Sequence, residues 1–199
     1  MEKLLIATNN RGKQKELLAL LSGLEAELVT PQETGLRMKP PETGRTYAQN
    51  ALIKAEAFCQ ESGLPSLADD TGLEVAALGG APGLRSARFS PDPNANDADR
   101  RKLLLSKLEE VPRPWSARFV CCVALALPNG ETCFFEGSCK GIITSEERGE
   151  RGFGYDRIFL FPEFGKTMAE LRLAEKNQVS HRANAVRGIL PKIKELLEN

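Results

Sequence analysis

The chain has 199 residues, 41% of them hydrophobic, which is enough for one sizeable domain or two tightly joined lobes and too apolar for a disordered chain. Its 27 Lys and Arg balance 27 Asp and Glu, so no overall field draws it to nucleic acid or to an anionic membrane, and any anion site must be local. No apolar run approaches a membrane span and the N-terminus turns polar too early for a signal peptide, while five cysteines without CxxC spacing and a single histidine, His181, fit reduced thiols in a cytoplasmic protein better than a zinc site.

Residues 3–7 read as a short buried strand, and Thr8-Asn9-Asn10 then offers capping side chains before a helical pattern over about 12–21. A second helix is expected over 46–62. Thr46 and Gln49 suggest a capping box, Ala48, Leu52, Ala55 and Cys59 an apolar stripe, and Gly63 a stop, with Asn50 and Lys54 one turn apart on the other side. Residues 65–68 form a brief strand entering the acidic segment Asp69-Asp70-Thr71-Gly72, which reads as a turn. Gly79-Gly80-Ala81-Pro82-Gly83 marks a loop, and a third helix covers roughly 97–110.

The run 116–127 is continuously apolar from Phe119, as expected of a central strand covered on both faces. Asn129-Gly130 turns it back into a partner strand through Phe135. A polar, glycine-bearing loop over 145–154 leads through Tyr155 and Asp156 into a strand at 157–161. Thr167 and Glu170 suggest another capping box, and an amphipathic helix containing Pro191 begins near Ser180. Helices alternating with strands, with one antiparallel hairpin, argue for an α/β fold around a mixed sheet.

The usual phosphate signatures fail here. Gly165-Lys166-Thr167 resembles the end of a P-loop, but Leu160 stands where the first glycine is required; Gly152-Phe153-Gly154 begins a dinucleotide fingerprint, but Arg157 holds the third glycine position. The stretch from Thr8 to Lys13 places a turn and a helix start together, an arrangement that binds anions through main-chain N–H groups. The plain alternative is that Asn10 caps the helix and Lys13 is solvated.

Adjacent carboxylates at Asp69 and Asp70 repel each other, a cost that a cation between them or a retained proton would relieve. Magnesium commonly takes one or two carboxylates and leaves its other positions to water and phosphate, and Glu42 offers a second carboxylate from another loop. Two other readings of Asp69-Asp70-Thr71-Gly72 stand beside this one. It is a simple chain reversal, or half of an aspartic-protease dyad that would need a second copy this chain lacks. The segment Glu175 to Arg182 gathers cations and His181 around a helix start, as either an anion or carbonyl site or a solvated linker capped by Ser180. Phe153 and Tyr155 offer rings for stacking on a base, or belong to the core.

Taken together, the segments resemble the inosine triphosphate pyrophosphatase family, which removes deaminated purine nucleotides from the precursor pool. The likeness spans nearly the whole chain. It rests on Ala7-Thr8-Asn9-Asn10 with Lys13, Glu42-Thr43-Gly44, Asn50-Ala51 with Lys54-Ala55, Ala68-Asp69-Asp70-Thr71-Gly72-Leu73 and Leu78-Gly79-Gly80-Ala81-Pro82-Gly83. It continues through Ser86-Ala87-Arg88, Gly152-Phe153-Gly154-Tyr155-Asp156, Gly165-Lys166-Thr167, Ala169-Glu170-Leu171, Glu175-Lys176 and Ser180-His181-Arg182. The resemblance implies a two-lobed α/β fold, with a long mixed central sheet flanked by helices and an active-site cleft between lobes. Residues 1–199 would form one pyrophosphatase domain, usually a homodimer, with no nucleic acid or membrane partner.

The implied activity is hydrolysis of ITP, dITP and XTP to the monophosphate and diphosphate, with magnesium. Carried over position by position, Thr8, Asn9, Asn10, Arg11, Gly12, Lys13 and Lys54 would hold the triphosphate, Glu42 and Asp70 the metal, and Thr71 would contact substrate. Phe153, Gly154, Tyr155, Asp156, Lys176, His181 and Arg182 would form the nucleobase side. Asp70 would be the general base, and main-chain N–H groups near His181 with the Arg182 side chain would read the 6-oxo group of hypoxanthine and xanthine. Thr71 replaces a common serine and keeps its hydroxyl, whereas Arg157 stands where proline is usual. A pyrophosphatase for modified pyrimidine nucleotides and a nucleotide sensor that does not hydrolyse are the alternatives.

Overall fold

The computed structural model describes residues 2–197. Its strands are β1 (Lys3–Ile6), β2 (Glu27–Val29), β3 (Ser66–Val75), β4 (Trp115–Ala126), β5 (Thr132–Ile143), β6 (Phe159–Phe161) and β7 (Lys166–Thr167). Its helices are α1 (Arg11–Leu20), α2 (Tyr47–Ser62), α3 (Asp97–Ser106), α4 (Leu173–Val179) and α5 (His181–Leu197), with 3-10 turns at Ala76–Leu78, Gly83–Arg88 and Met168–Glu170. The strands form one mixed sheet in the order β2-β1-β3-β4-β5-β6-β7. β1 is parallel to β2 and to β3, so α1 and α2 lie in the long returns that parallel pairing requires. β6 runs antiparallel to both β5 and β7.

Local chemistry explains where the helices begin and end. Asn10 caps α1 by accepting from the Lys13 main-chain N–H, and Thr46 caps α2 by accepting from that of Gln49. Gly63, at φ 68°, ends α2 in the left-handed region that costs glycine nothing. The box between Thr167 and Glu170 is formed, and α3 has its own between Asn96 and Asp99. β4 lies fourth of seven strands, and its residues from Phe119 onward are all buried, which is what its unbroken apolar run requires.

Three expectations are corrected. Asp69-Asp70-Thr71-Gly72 is not a turn: it lies inside β3, which runs on to Val75. These residue types signal turns in isolation, but here β3 runs on beside β4 in the sheet, and ladder pairing overrides local preference. The buried face of α2 consists of Tyr47, Asn50, Ala51, Ala55, Phe58 and Cys59, so Asn50 belongs to the packed side, while Ala48 and Leu52 are only half-buried. Residues 173–179 are helix α4 rather than a linker, opened by a hydrogen bond of 2.7 Å from the Arg172 N–H to the Glu175 carboxylate and closed by Ser180. Smaller shifts concern length: α3 ends at Ser106, β5 extends to Ile143, and β6 begins only at Phe159.

The chain divides into two compact units. Unit 1 comprises Met1–Asp70, Cys121–Gly137 and His181–Asn199; unit 2 comprises Thr71–Val120 and Ser138–Ser180. Leu4, Ile6, Leu17, Val123, Val186 and Ile189 are among the core of the first, and Leu73, Leu104, Trp115, Phe119, Phe159 and Met168 among that of the second. In unit 1 the start of α5 sits directly on β5 at Gly137, where an added Cβ would lie 2.2 Å from the Ala185 nitrogen and 2.6 Å from the His181 carbonyl oxygen. No helix among the described residues is long and apolar enough to cross a membrane.

Candidate active site

Successive side chains on a strand point to opposite faces, and this resolves the problem of the paired acids. In unit 1, β3 sends Asp69 toward α1 and α5 and Asp70 toward α2. Asp69 is fully enclosed. Its Oδ2 lies 3.0 Å from Lys13 Nζ, 2.9 Å from Arg182 Nη2 and 3.2 Å from Arg182 Nε. Arg182 Nη1 in turn pairs with Glu16, itself buried on α1. Burial alone would push the Asp69 carboxyl upward, but Lys13, Arg182 and Lys54 outweigh it and hold the group well below the usual carboxylate range. Arg182 shows the converse: burial opposes its charge, yet Asp69 and Glu16 raise its pKa further.

On the other face, Asp70 Oδ1 accepts from Lys54 Nζ at 3.0 Å and Oδ2 from Asn50 Nδ2 at 3.1 Å. Lys54 Nζ also donates to Glu42 Oε1 at 3.1 Å. Two carboxylates, from β3 and from the segment before α2, therefore converge on one ammonium. Burial works against the charge on Lys54, but Asp70, Asp69 and Glu42 together raise its pKa above the ordinary lysine value. Among the described residues there is no group of three or more His, Cys, Asp or Glu arranged for a metal ion. Glu42 and Asp70 are thus a two-carboxylate oxygen set.

The segment leading into α1 is partly open. Asn9, Asn10 and Arg11 are exposed, and Thr8, Gly12 and Lys13 half-buried. Thr8 Oγ1 accepts from the Asn10 N–H, and Asn9 Nδ2 donates to the Met38 carbonyl at 2.8 Å. Asn10 does cap the helix, but Lys13 is not solvated: its ammonium is held on Asp69.

Unit 2 brings together Phe153, Asp156 and Lys176. Asp156 Oδ2 accepts from Lys176 Nζ at 2.6 Å and from the Phe153 N–H at 3.0 Å, and the ammonium lies 5.2 Å from the centre of the Phe153 ring. Gly152 makes this approach feasible, since a Cβ there would lie 2.0 Å from the same Oδ2 and its φ is +75°. Gly154 is tied at both ends, donating to Asp97 Oδ2 and accepting from Arg101 Nη1, each at 2.7 Å. Arg101 also grips Glu147 through Nε and Nη2.

Tyr155 is placed in the core, its hydroxyl donating to the Ser86 carbonyl at 3.0 Å, so of the two aromatic rings only Phe153 keeps an exposed part. Thr71 follows Asp70 on β3 and is half-buried. His181 and Arg182 open α5 and are both buried. The linker reading is corrected here, and the Arg182 guanidinium is engaged with Asp69 and Glu16. Arg157 lies 3.5 Å from Glu147.

Glu16, Asn50 and Asp69, to which the sequence assigned no separate role, all make buried contacts with the predicted residues. For Asn50 a signal existed, because positions 50 and 54 share one helix face and Lys54 was already a candidate. Glu16 gave none, since its partner Arg182 lies 166 residues away.

Acidic oxygens gathered around lysines, beside a helix start, are groups suited to a charged, phosphate-like ligand. Comparison with known proteins gives this a family. The chain belongs to the Ham1 family, whose model matches residues 4–192. It is 48% identical to the dITP/XTP pyrophosphatase of Desulforamulus reducens over 93% of this chain and 92% of that one. It is 45% identical to the enzyme of the same name from Haemophilus influenzae over 93% and 95%. Among solved structures, a HAM1 protein from Coxiella burnetii superposes with a TM-score of 0.86 at 39% identity, covering 98% of this chain and all of that one. The Ham1 protein of Staphylococcus aureus gives 0.84 at 36% identity, covering 98% and 99%. The chain is therefore an enzyme, a hydrolase of the pyrophosphatase class.

Proposed function

We propose that this enzyme hydrolyses the deaminated purine nucleoside triphosphates ITP, dITP and XTP to the monophosphate and diphosphate. The observation that carries the reading is the convergence of Asp70 and Glu42 on Lys54, together with relatives that bear a dITP/XTP pyrophosphatase name. Water attacks the α-phosphorus, the bond to the bridging oxygen of the departing diphosphate breaks, and the Asp70 carboxylate takes the proton. Lys54 and Asn50 each hold one oxygen of that carboxylate and leave lone pairs for the proton.

Thr8, Asn9, Asn10, Arg11, Gly12 and Lys13 hold the triphosphate in this reading, with Lys54 beside the reacting phosphate and Thr71 in contact with substrate. Asp69 fixes the Lys13 ammonium, and in this reading that charge and the start of α1 offset negative charge on the substrate without moving. Two carboxylates converging on one cationic atom match the donor set that magnesium takes from proteins. Glu42 and Asp70 would hold that ion, and when bound it supplies positive charge to the departing diphosphate.

Phe153 to Asp156 with Lys176, and His181 with Arg182, are assigned the nucleobase. Because the Arg182 guanidinium is committed to two carboxylates, the reading gives the 6-oxo group to main chain at the start of α5. A cytoplasmic location is supported by five cysteines that are all thiols. A homodimer is part of the same reading, and sedimentation at twice 21.8 kDa would support it.

The test is incubation of the enzyme and magnesium with ITP, XTP, GTP and ATP, with products identified. Inosine and xanthosine monophosphates with diphosphate are expected, and ATP should fall behind in kcat/KM by about four orders of magnitude, as for a site that hydrogen-bonds a group the analogue lacks. Nucleoside diphosphate with single phosphate would overturn the position of the cut; equal use of ATP would overturn the base assignment.

A further inference from the structure

Within unit 1, one buried side chain links the Asp70 carboxylate to the loop that carries Glu42. Asn50 is 2% exposed and sits on α2 one turn before Lys54. Its Oδ1 accepts from the Gly44 N–H at 2.8 Å, and its Nδ2 donates to Asp70 Oδ2 at 3.1 Å. Gly44 lies two residues after Glu42. Helical spacing of four places Asn50 and Lys54 on one face, so α2 claims both oxygens of Asp70, Oδ2 through the amide and Oδ1 through the ammonium. The plane of the carboxylate is thereby set by a single rigid helix.

The loop side of the contact is equally constrained. A Cβ on Gly44 would lie 2.7 Å from Asn50 Oδ1, 2.7 Å from Gln49 Cβ and 2.9 Å from the Asn50 nitrogen, so any other residue there forces the loop off the amide. Only a side chain with an acceptor and a donor on one carbon serves both partners at once. Aspartate at this position would keep the bond to Gly44 but set a second charge against Asp70; leucine would lose both bonds at similar volume.

We propose that Asn50 is a positioning residue of the hydrolytic site, tying the Glu42-bearing loop to the Asp70 carboxylate so that base and second acidic group keep one fixed geometry. The inference rests on the assignment of Asp70 as general base. Outer partners of this kind typically cost ten- to a hundredfold in activity when removed.

The test compares kcat and KM for ITP with magnesium in wild type, Asn50→Ala, Asn50→Asp, Gly44→Ala and the double variant Asn50→Ala/Gly44→Ala, with thermal melting of each and Asp70→Asn as reference. Expected are a fall in kcat of about ten- to a hundredfold for both Asn50 variants, with KM within about threefold and a folded melting transition. Should Asn50→Ala fail to fold, Asn50→Asp decides, since it keeps nearly the same volume and the Gly44 bond. The double variant should be close to the worse single variant, because both changes break one link. Wild-type kcat in the deciding Asn50 variant while Asp70→Asn is inactive would overturn the positioning role alone, as would effects that simply multiply. An Asp70→Asn enzyme with wild-type kcat would overturn the general-base assignment and this role with it.

Discussion

Asp69 and Asp70 are neighbours in sequence but face opposite sides of β3 and keep different company. One is locked between Lys13 and Arg182 with no exposed side-chain surface, and the other meets Asn50 and Lys54 on the opposite face of β3. The pKa of Asp69 is lowered on folding, so protons bind the unfolded chain first as pH falls. The stabilisation it gives is complete above the unfolded value of about 3.9 and drains away below it. Urea unfolding of wild type should therefore show a midpoint that holds down to about pH 4 and falls from there toward about pH 2. Asp69→Asn should start lower at pH 7, with Lys13 and Arg182 deprived of a partner, and show a flatter slope over the same window. An unchanged slope would mean that other carboxylates carry the acid sensitivity.

At the scale of elements, α5 is seated closely on β5 at Gly137. Gly137 faces main-chain atoms of α5, whereas the atoms nearest an added Cβ on Gly188 belong to the Phe135 ring, the far end of a side chain that is 45% exposed. Gly137→Ala is expected to cost about 1–3 kcal/mol, as overpacking does, and Gly188→Ala clearly less. Thermal melting of the two variants compares them, and an equal loss would contradict the contact as described. Caps at Asn10 and Thr46, the stop at Gly63 and the buried run of β4 were legible because their causes are local. The acidic segment misled because Asp, Thr and Gly favour turns wherever no neighbouring strands pair with them. The face of α2 was misjudged by rotation, since Asn50 counts as polar until its two partners are known.

Over the whole molecule, motifs from Thr8 to Arg182 were legible as one family pattern, and the family assignment over residues 4–192 agrees with it. The roles of Asp69 and Glu16 were not, because they depend on an arginine 113 and 166 residues away. No local periodicity encodes such pairs. The balanced charge of the chain is compatible with the local gathering of charged groups around Asp69 and Asp70. The role given to Asp70 depends on where the bond is cut. Hydrolysis of ITP in water enriched with oxygen-18, followed by mass spectrometry of both products, addresses this directly. Label in inosine monophosphate, with none in the diphosphate, is the expected result. Label in the diphosphate would place the attack on the β-phosphorus and contradict the role given to Asp70.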